Sequence, residues 1–236
     1  MPNSEHIVSS FDRDLEGIQA KIMRLGGLVE EAIAKSVQAL ESRDLDLAKT
    51  VRRADKAIDE LEEQVNVDAA RIIALRQPIA SDLRTVLTVF RVSANLERIG
   101  DYAKNIAKRS QSIIELETVP GTAASLKRMA RQVELMLKDV LDAYIQHDAD
   151  LAEDVRQRDL EVDQMYSALF REYLTHMMED SRHITACMHL HFMAKNIERM
   201  GDHVTSVAEQ VIYLVTGVMP DDDRPKEDKT PYVHEA

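Results

Sequence analysis

Apolar residues recur every three or four positions along most of this chain, the spacing of one buried face of a helix. Ile18, Ile22, Leu25, Val29, Ile33, Val37 and Leu40 form the first stripe. A second runs through Leu47, Val51, Ala54, Ile58, Leu61 and Val65. A third helix is expected from near Ser81 past Ala107, its core side being Val89, Val92, Leu96, Ile99, Ala103 and Ile106. Ser42-Arg-Asp44 breaks the first stripe and offers Asp44 as a cap for the next helix, and Gln77-Pro78 ends the second.

The pattern then starts again. Val29, Asp44, Asp46, Leu47, Ala48, Val51, Arg52, Asp55 and Asp59 recur as Val133, Asp148, Asp150, Leu151, Ala152, Val155, Arg156, Asp159 and Asp163. Further on, Asn95-Leu-Glu-Arg-Ile-Gly-Asp101 returns as Asn196-Ile-Glu-Arg-Met-Gly-Asp202 with a register three residues shorter. An indel belongs in a connection, so the difference marks a loop around Gln77-Pro78-Ile79. Pro120-Gly121, the only Pro-Gly pair, separates the copies. Short connections between long amphipathic helices make antiparallel neighbours. The expectation is therefore an all-α chain of two tandem three-helix bundles, residues 8–118 and 121–217. An acidic, Pro-containing tail over 218–236 is expected to be disordered.

Composition narrows the function. The net charge is -12, which disfavours nucleic acid as the main partner, because phosphate neutralisation needs clustered Lys and Arg. A single cysteine, Cys187, forbids an intrachain disulfide; with no apolar signal segment at the N-terminus and no long apolar run, the expectation is a cytoplasmic protein. No Walker A loop, GxGxxG, GxSxG or HExxH is present.

The candidate chemistry lies in the repeated heptapeptide. Glu97 and Asp101 are four residues apart, so both carboxylates point the same way, opposite the expected core side and below Leu83, Val86, Leu87 and Phe90; Glu198 and Asp202 repeat the arrangement. A single outward Glu/Asp pair is most often just solvated charge. Here the pair recurs although like charges at this spacing repel. The second helix of each copy adds another pair, Asp55/Asp59 and Asp159/Asp163, which antiparallel packing can bring alongside. These eight carboxylates form an oxygen-only set suited to divalent or trivalent cations, with Mg, Mn, Fe and Zn all open. Di-iron oxygen chemistry is disfavoured because no Glu-x-x-His occurs. Gly100 and Gly201, mid-helix at a cost of about 1 kcal/mol each, are read as points of close helix approach. Arg98 and Arg199 are read as surface charges or carboxylate partners, and Asn95 and Asn196 as either carboxylate-orienting or packing groups. His183, Cys187 and His191 form a stripe whose first-copy counterparts are Asp82, Val86 and Phe90, so a structural role is preferred to a metal site there.

With these motifs in place, the chain resembles the PhoU family of phosphate-transport regulators. The resemblance rests on Leu96-Glu-Arg-Ile-Gly-Asp101, Ile197-Glu-Arg-Met-Gly-Asp202, Arg76-Gln-Pro-Ile-Ala-Ser-Asp-Leu-Arg84, Met177-Met-Glu-Asp-Ser-Arg182 and Tyr213-Leu-Val-Thr-Gly217. It implies a non-enzymatic, cytoplasmic negative regulator of the phosphate-starvation response and phosphate uptake. The implied partners are the ATPase subunit of a phosphate ABC transporter and a membrane sensor histidine kinase. It also implies metal clusters on the Glu/Asp-x-x-x-Asp motifs. A metal-dependent phosphohydrolase and a purely structural helical protein are the alternatives, and homodimerisation stays open.

Overall fold

The structure, a computed structural model, describes residues 3–117 and 119–221, with side chains from residue 11 onward. The expected tail beyond Asp221 and the expected boundary at residue 118 lie outside the described residues. Six α-helices follow in order: α1 (Asn3–Ser42), α2 (Leu45–Arg76), α3 (Ser81–Ile113), α4 (Thr122–Gln146), α5 (Ala149–Glu179) and α6 (Ile184–Thr216). One 3₁₀ turn, Ser181–His183, precedes α6, and no strand occurs among the described residues. The all-α, twice-repeated architecture is as the periodicity predicts.

The breaks follow local chemistry, and they repeat. Arg43 and His147, equivalent under the repeat, both turn into the left-handed region (φ 53° each). Asp44 and Asp148 then cap α2 and α5, each side chain accepting from the two backbone N–H groups at the helix start. Replacing Asp148 by Ala is expected to cost about 1 kcal/mol, read as a lower urea midpoint with an unchanged m-value. Between α2 and α3 the chain spends residues 77–80, whereas between α5 and the 3₁₀ turn it spends only Asp180. That difference is the three-residue change in register.

Within each repeat the three helices pack on one another; between repeats α1 packs on α4 and α3 on α6. α1, α3, α6 and α4 thus close a central ring, flanked by α2 and α5. Buried residues of both repeats, from Ile18 and Leu96 to Leu137 and Ile197, belong to one hydrophobic cluster. The two bundles share a core.

That sharing corrects two expectations about faces. Val86, placed with the outer side of the third helix, is fully buried, because α3 is covered by α1, α2 and also α6. Ala54, placed in the α2 stripe, is exposed, and Asp55 takes the core-facing position between Val51 and Ile58. Its spacing from those two, four and three residues, is the helical repeat itself.

Candidate functional site

α2 and α3 approach closely at Gly100. A Cβ there would stand 2.9 Å from Ile58 Cδ1, and a Cβ at Gly201 would stand 3.0 Å from Asp159 Oδ1 and 3.3 Å from Val162 Cγ1. The missing side chains let α3 and α6 settle against α2 and α5, which brings the four carboxylates of each repeat to one seam.

In the first repeat Asp55 is buried and Asp59 exposed, while Glu97 and Asp101 are half-buried. Lys104 joins the two helices: its Nζ lies 2.5 Å from Asp55 Oδ2 and 3.0 Å from Asp101 Oδ1. Arg98 sits 3.7 Å from Glu97 Oε2 and 3.6 Å from Asp101 Oδ2. Asp55 Oδ1 is buried with no hydrogen-bond partner. Burial pushes the Asp55 carboxyl above its ordinary range, Lys104 opposes this, and Asp59 and Asp101 add to it. Glu97 is raised by burial and then by Asp101, with Arg98 opposing and Asp59 adding.

The second repeat is more deeply enclosed. Asp159, Asp163 and Glu198 are only 5%, 7% and 7% exposed. Lys195 Nζ lies 2.7 Å from Glu198 Oε1 and 4.9 Å from the centre of the Tyr166 ring. Glu198 Oε2 is buried without a partner. Burial raises the Glu198 carboxyl, Lys195 opposes, and Asp202 and Asp163 contribute further. A carboxyl with a raised folded-state pKa favours the fold when protonated. This stabilisation is complete below its ordinary value of 4.5 and is lost as pH rises through the raised value. Glu198→Gln is therefore expected to be more stable than wild type at pH 7 in chelator, with the advantage shrinking toward pH 4; urea midpoints across that range are the check.

The donor chemistry of both seams fits a hard cation, and two buried carboxylate oxygens lack partners. The positions are not drawn in: no group of three or more His, Cys, Asp or Glu among the described residues is arranged to hold a metal ion. Each repeat instead places a lysine ammonium on its carboxylates, from different sites. The counterpart of Lys104 is Thr205, whose hydroxyl donates to the Gly201 and Asp202 carbonyls, and the counterpart of Lys195 is Ala94. The sequence reading missed both lysines, although each lies three residues from a motif acid, Asp101–Lys104 and Lys195–Glu198, within helical reach.

The neighbouring polar residues have other duties. Asn95 does not orient a carboxylate: its Nδ2 donates to the Arg91 carbonyl, and its Oδ1 meets His203 Nδ1 at 2.7 Å across the α3–α6 seam. Asp59, Glu62, Glu97, Arg98, Asn95 and His203 line an open cleft of about 530 Å³ there. Cys187 is buried in the core, and His191 stacks on Tyr166.

A PhoU domain model matches residues 22–110 and again 126–211. The chain belongs to the PhoU family. The PhoU homolog of Rhizobium meliloti (strain 1021), a phosphate-specific transport system accessory protein by name, is 45% identical over 225 residues, 95% of each chain. The homolog of the same name in Caulobacter vibrioides is 44% identical over 95% of this chain and 98% of its own length. The crystal structure of PhoU from Pseudomonas aeruginosa is similar, with a TM-score of 0.85 and 38% identity over 88% of this chain and all of that one. That of the phosphate transport system regulatory protein PhoU from Streptococcus pneumoniae has a TM-score of 0.83 and 31% identity, covering 89% and 99%. Both carboxylate seams fall within the PhoU matches. No helix among the described residues is long and apolar enough to cross a membrane.

Proposed function

We propose that this protein is a cytoplasmic, non-enzymatic negative regulator of the phosphate-starvation response and phosphate uptake. In this reading it is an adaptor between the ATPase subunit of a phosphate ABC transporter and a membrane sensor histidine kinase. The observation that carries the reading is the PhoU match over both repeats, with relatives of 44–45% identity named for a phosphate-specific transport system. Deleting the gene is expected to switch on a phosphate-starvation reporter in high phosphate, and unaltered expression would sink the regulatory role. A pull-down from membranes, probed for the ATPase subunit and the kinase, tests the partners.

The second element is that the two seams take divalent or trivalent cations. Asp55, Asp59, Glu97 and Asp101 would hold one set, and Asp159, Asp163, Glu198 and Asp202 the other. A bound cation supplies positive charge where like-charged carboxylates converge. Lys104 would yield its place on Asp55 and Asp101, and Lys195 its place on Glu198. Neutralising a seam fixes α2 on α3, or α5 on α6, and so sets the outer surface offered to a partner. Buried carboxylate oxygens without partners, on Asp55 and Glu198, support this. Metal analysis of protein purified without chelator is the check. Equal, sub-stoichiometric metal in wild type and in a variant with Asp59, Glu97 and Asp101 replaced by Ala removes this element. Turnover of phosphoesters by metal-loaded protein would favour a phosphohydrolase instead.

A further inference from the structure

The α3–α6 groove carries opposite charge at its two ends. The antiparallel course of the pair is visible in its contacts, Asn95 meeting His203 and the Arg109 guanidinium lying 4.4 Å over the Phe192 ring. At the Asn95 end the cleft is acidic, through Asp59, Glu62 and Glu97. At the Asn196 end a separate pocket of about 350 Å³ is lined by Asn105, Lys108, Arg109, Ser112, His189 and Asn196, without a single carboxylate.

Such a pocket is out of character for a chain of net charge -12. Lys108 and Arg109 make no ion pair with a carboxylate among the described residues. Stacking on Phe192 engages the face of the Arg109 guanidinium and leaves its in-plane N–H donors available. Asn105, Asn196 and Ser112 add neutral donors. His189 Nδ1 is buried without a partner, and burial together with Arg109 lowers the imidazole pKa. The imidazole adds a further N–H donor. The fold repeat does not demand this chemistry: under the register of the heptapeptide, Asn105, Lys108, Arg109 and Ser112 correspond to Ser206, Glu209, Gln210 and Tyr213, and His189 to Thr88. The sign of charge reverses while the backbone repeats.

We propose that the basic end of the α3–α6 groove, with Lys108 and Arg109 on one wall and His189 and Asn196 on the other, is a binding site for a phosphate-type oxyanion. Two fixed cations and several neutral donors without a competing carboxylate suit a tetrahedral anion, to which Arg offers paired hydrogen bonds. Because α3 and α6 come from different repeats, an anion held between them ties the two together.

The site stands apart from the cation reading, and its test is run in chelator so that no metal bridges an anion to the carboxylates. The full chain is titrated calorimetrically with inorganic phosphate at constant ionic strength, and separately with ATP. Saturable binding is expected in wild type, weakened at least about tenfold in Lys108→Gln/Arg109→Gln, since two charged hydrogen-bond donors are lost. Binding is expected to stay unchanged in Lys56→Gln, at an exposed lysine outside the pocket. Lys108→Gln alone, at an exposed position, keeps the test valid if removing Arg109 from Phe192 disturbs folding. Binding of phosphate marks a free anion as ligand, and binding of ATP alone marks an esterified one. No saturable binding of either, or equal binding in wild type and Lys108→Gln/Arg109→Gln, overturns the proposal.

Discussion

Lys104→Met is expected to lower stability by about 2 kcal/mol in chelator at pH 7, and a divalent cation is expected to restore much of it. Asp55 holds a core position on α2 with one carboxylate oxygen already unpartnered, and Lys104 supplies the ion pair on the other. Breaking a fully buried pair costs about 3–5 kcal/mol. The Lys104 side chain is 38% exposed, so solvent screens part of that and the smaller figure follows. Asp55→Asn/Lys104→Met removes the stranded charge and is expected to be more stable than Lys104→Met alone, a non-additivity read from a double-mutant cycle of urea midpoints. If the seam takes cations, Mn²⁺ stabilises Lys104→Met more than it does the double variant. Both lack the competing lysine, but only the single variant keeps the Asp55 carboxylate, a better ligand than the amide that replaces it. Identical midpoints for wild type and Lys104→Met in chelator would remove the lysine from this role. Equal Mn²⁺ effects on all three proteins would remove the cation.

Much of this arrangement is written in the sequence because helical period and capping chemistry are local. The stripes from Ile18 and Leu47, the Asp44 and Asp148 caps, the loop at Gln77-Pro78 and the close approach at Gly100 and Gly201 each depend on a few neighbouring residues. What was not legible depends on partners distant in the chain. The outer side of α3 looked solvated because three helices complete a bundle; α6 then covers it and buries Val86. A core place for Asp55 was not legible because a charge counts against such a position, and Lys104, forty-nine residues away, helps to make it tolerable. The carboxylates of the second repeat read the same as those of the first, yet Asp163 is buried where Asp59 is exposed. Identical motif residues therefore do not make identical sites, and the two seams are expected to differ in the ease with which they exchange an ammonium for another cation.

The shared core carries the remaining large effect. Gly26 on α1 faces α4 so closely that a Cβ there would overlap the Leu141 side chain, while Gly27, one residue on, has open space around it. Gly26→Val is expected to cost about 2–3 kcal/mol through overpacking of the α1–α4 seam. Gly27→Val, with the same change in helix propensity, isolates the packing contribution. The form of the unfolding curve matters as much as its midpoint. Independent bundles would unfold in two steps, and a wedge between them would leave each step nearly in place. One hydrophobic cluster running through both repeats instead predicts a single transition that moves as a whole in Gly26→Val, with far-UV and near-UV circular dichroism coincident. Two separate transitions in wild type would show that the seam contributes little to either bundle. A single transition means that fixing α2 on α3 at one end stabilises α5 and α6 at the other. Anything bound to one repeat then changes the free energy of the whole surface, as the proposed adaptor role between two partners would require.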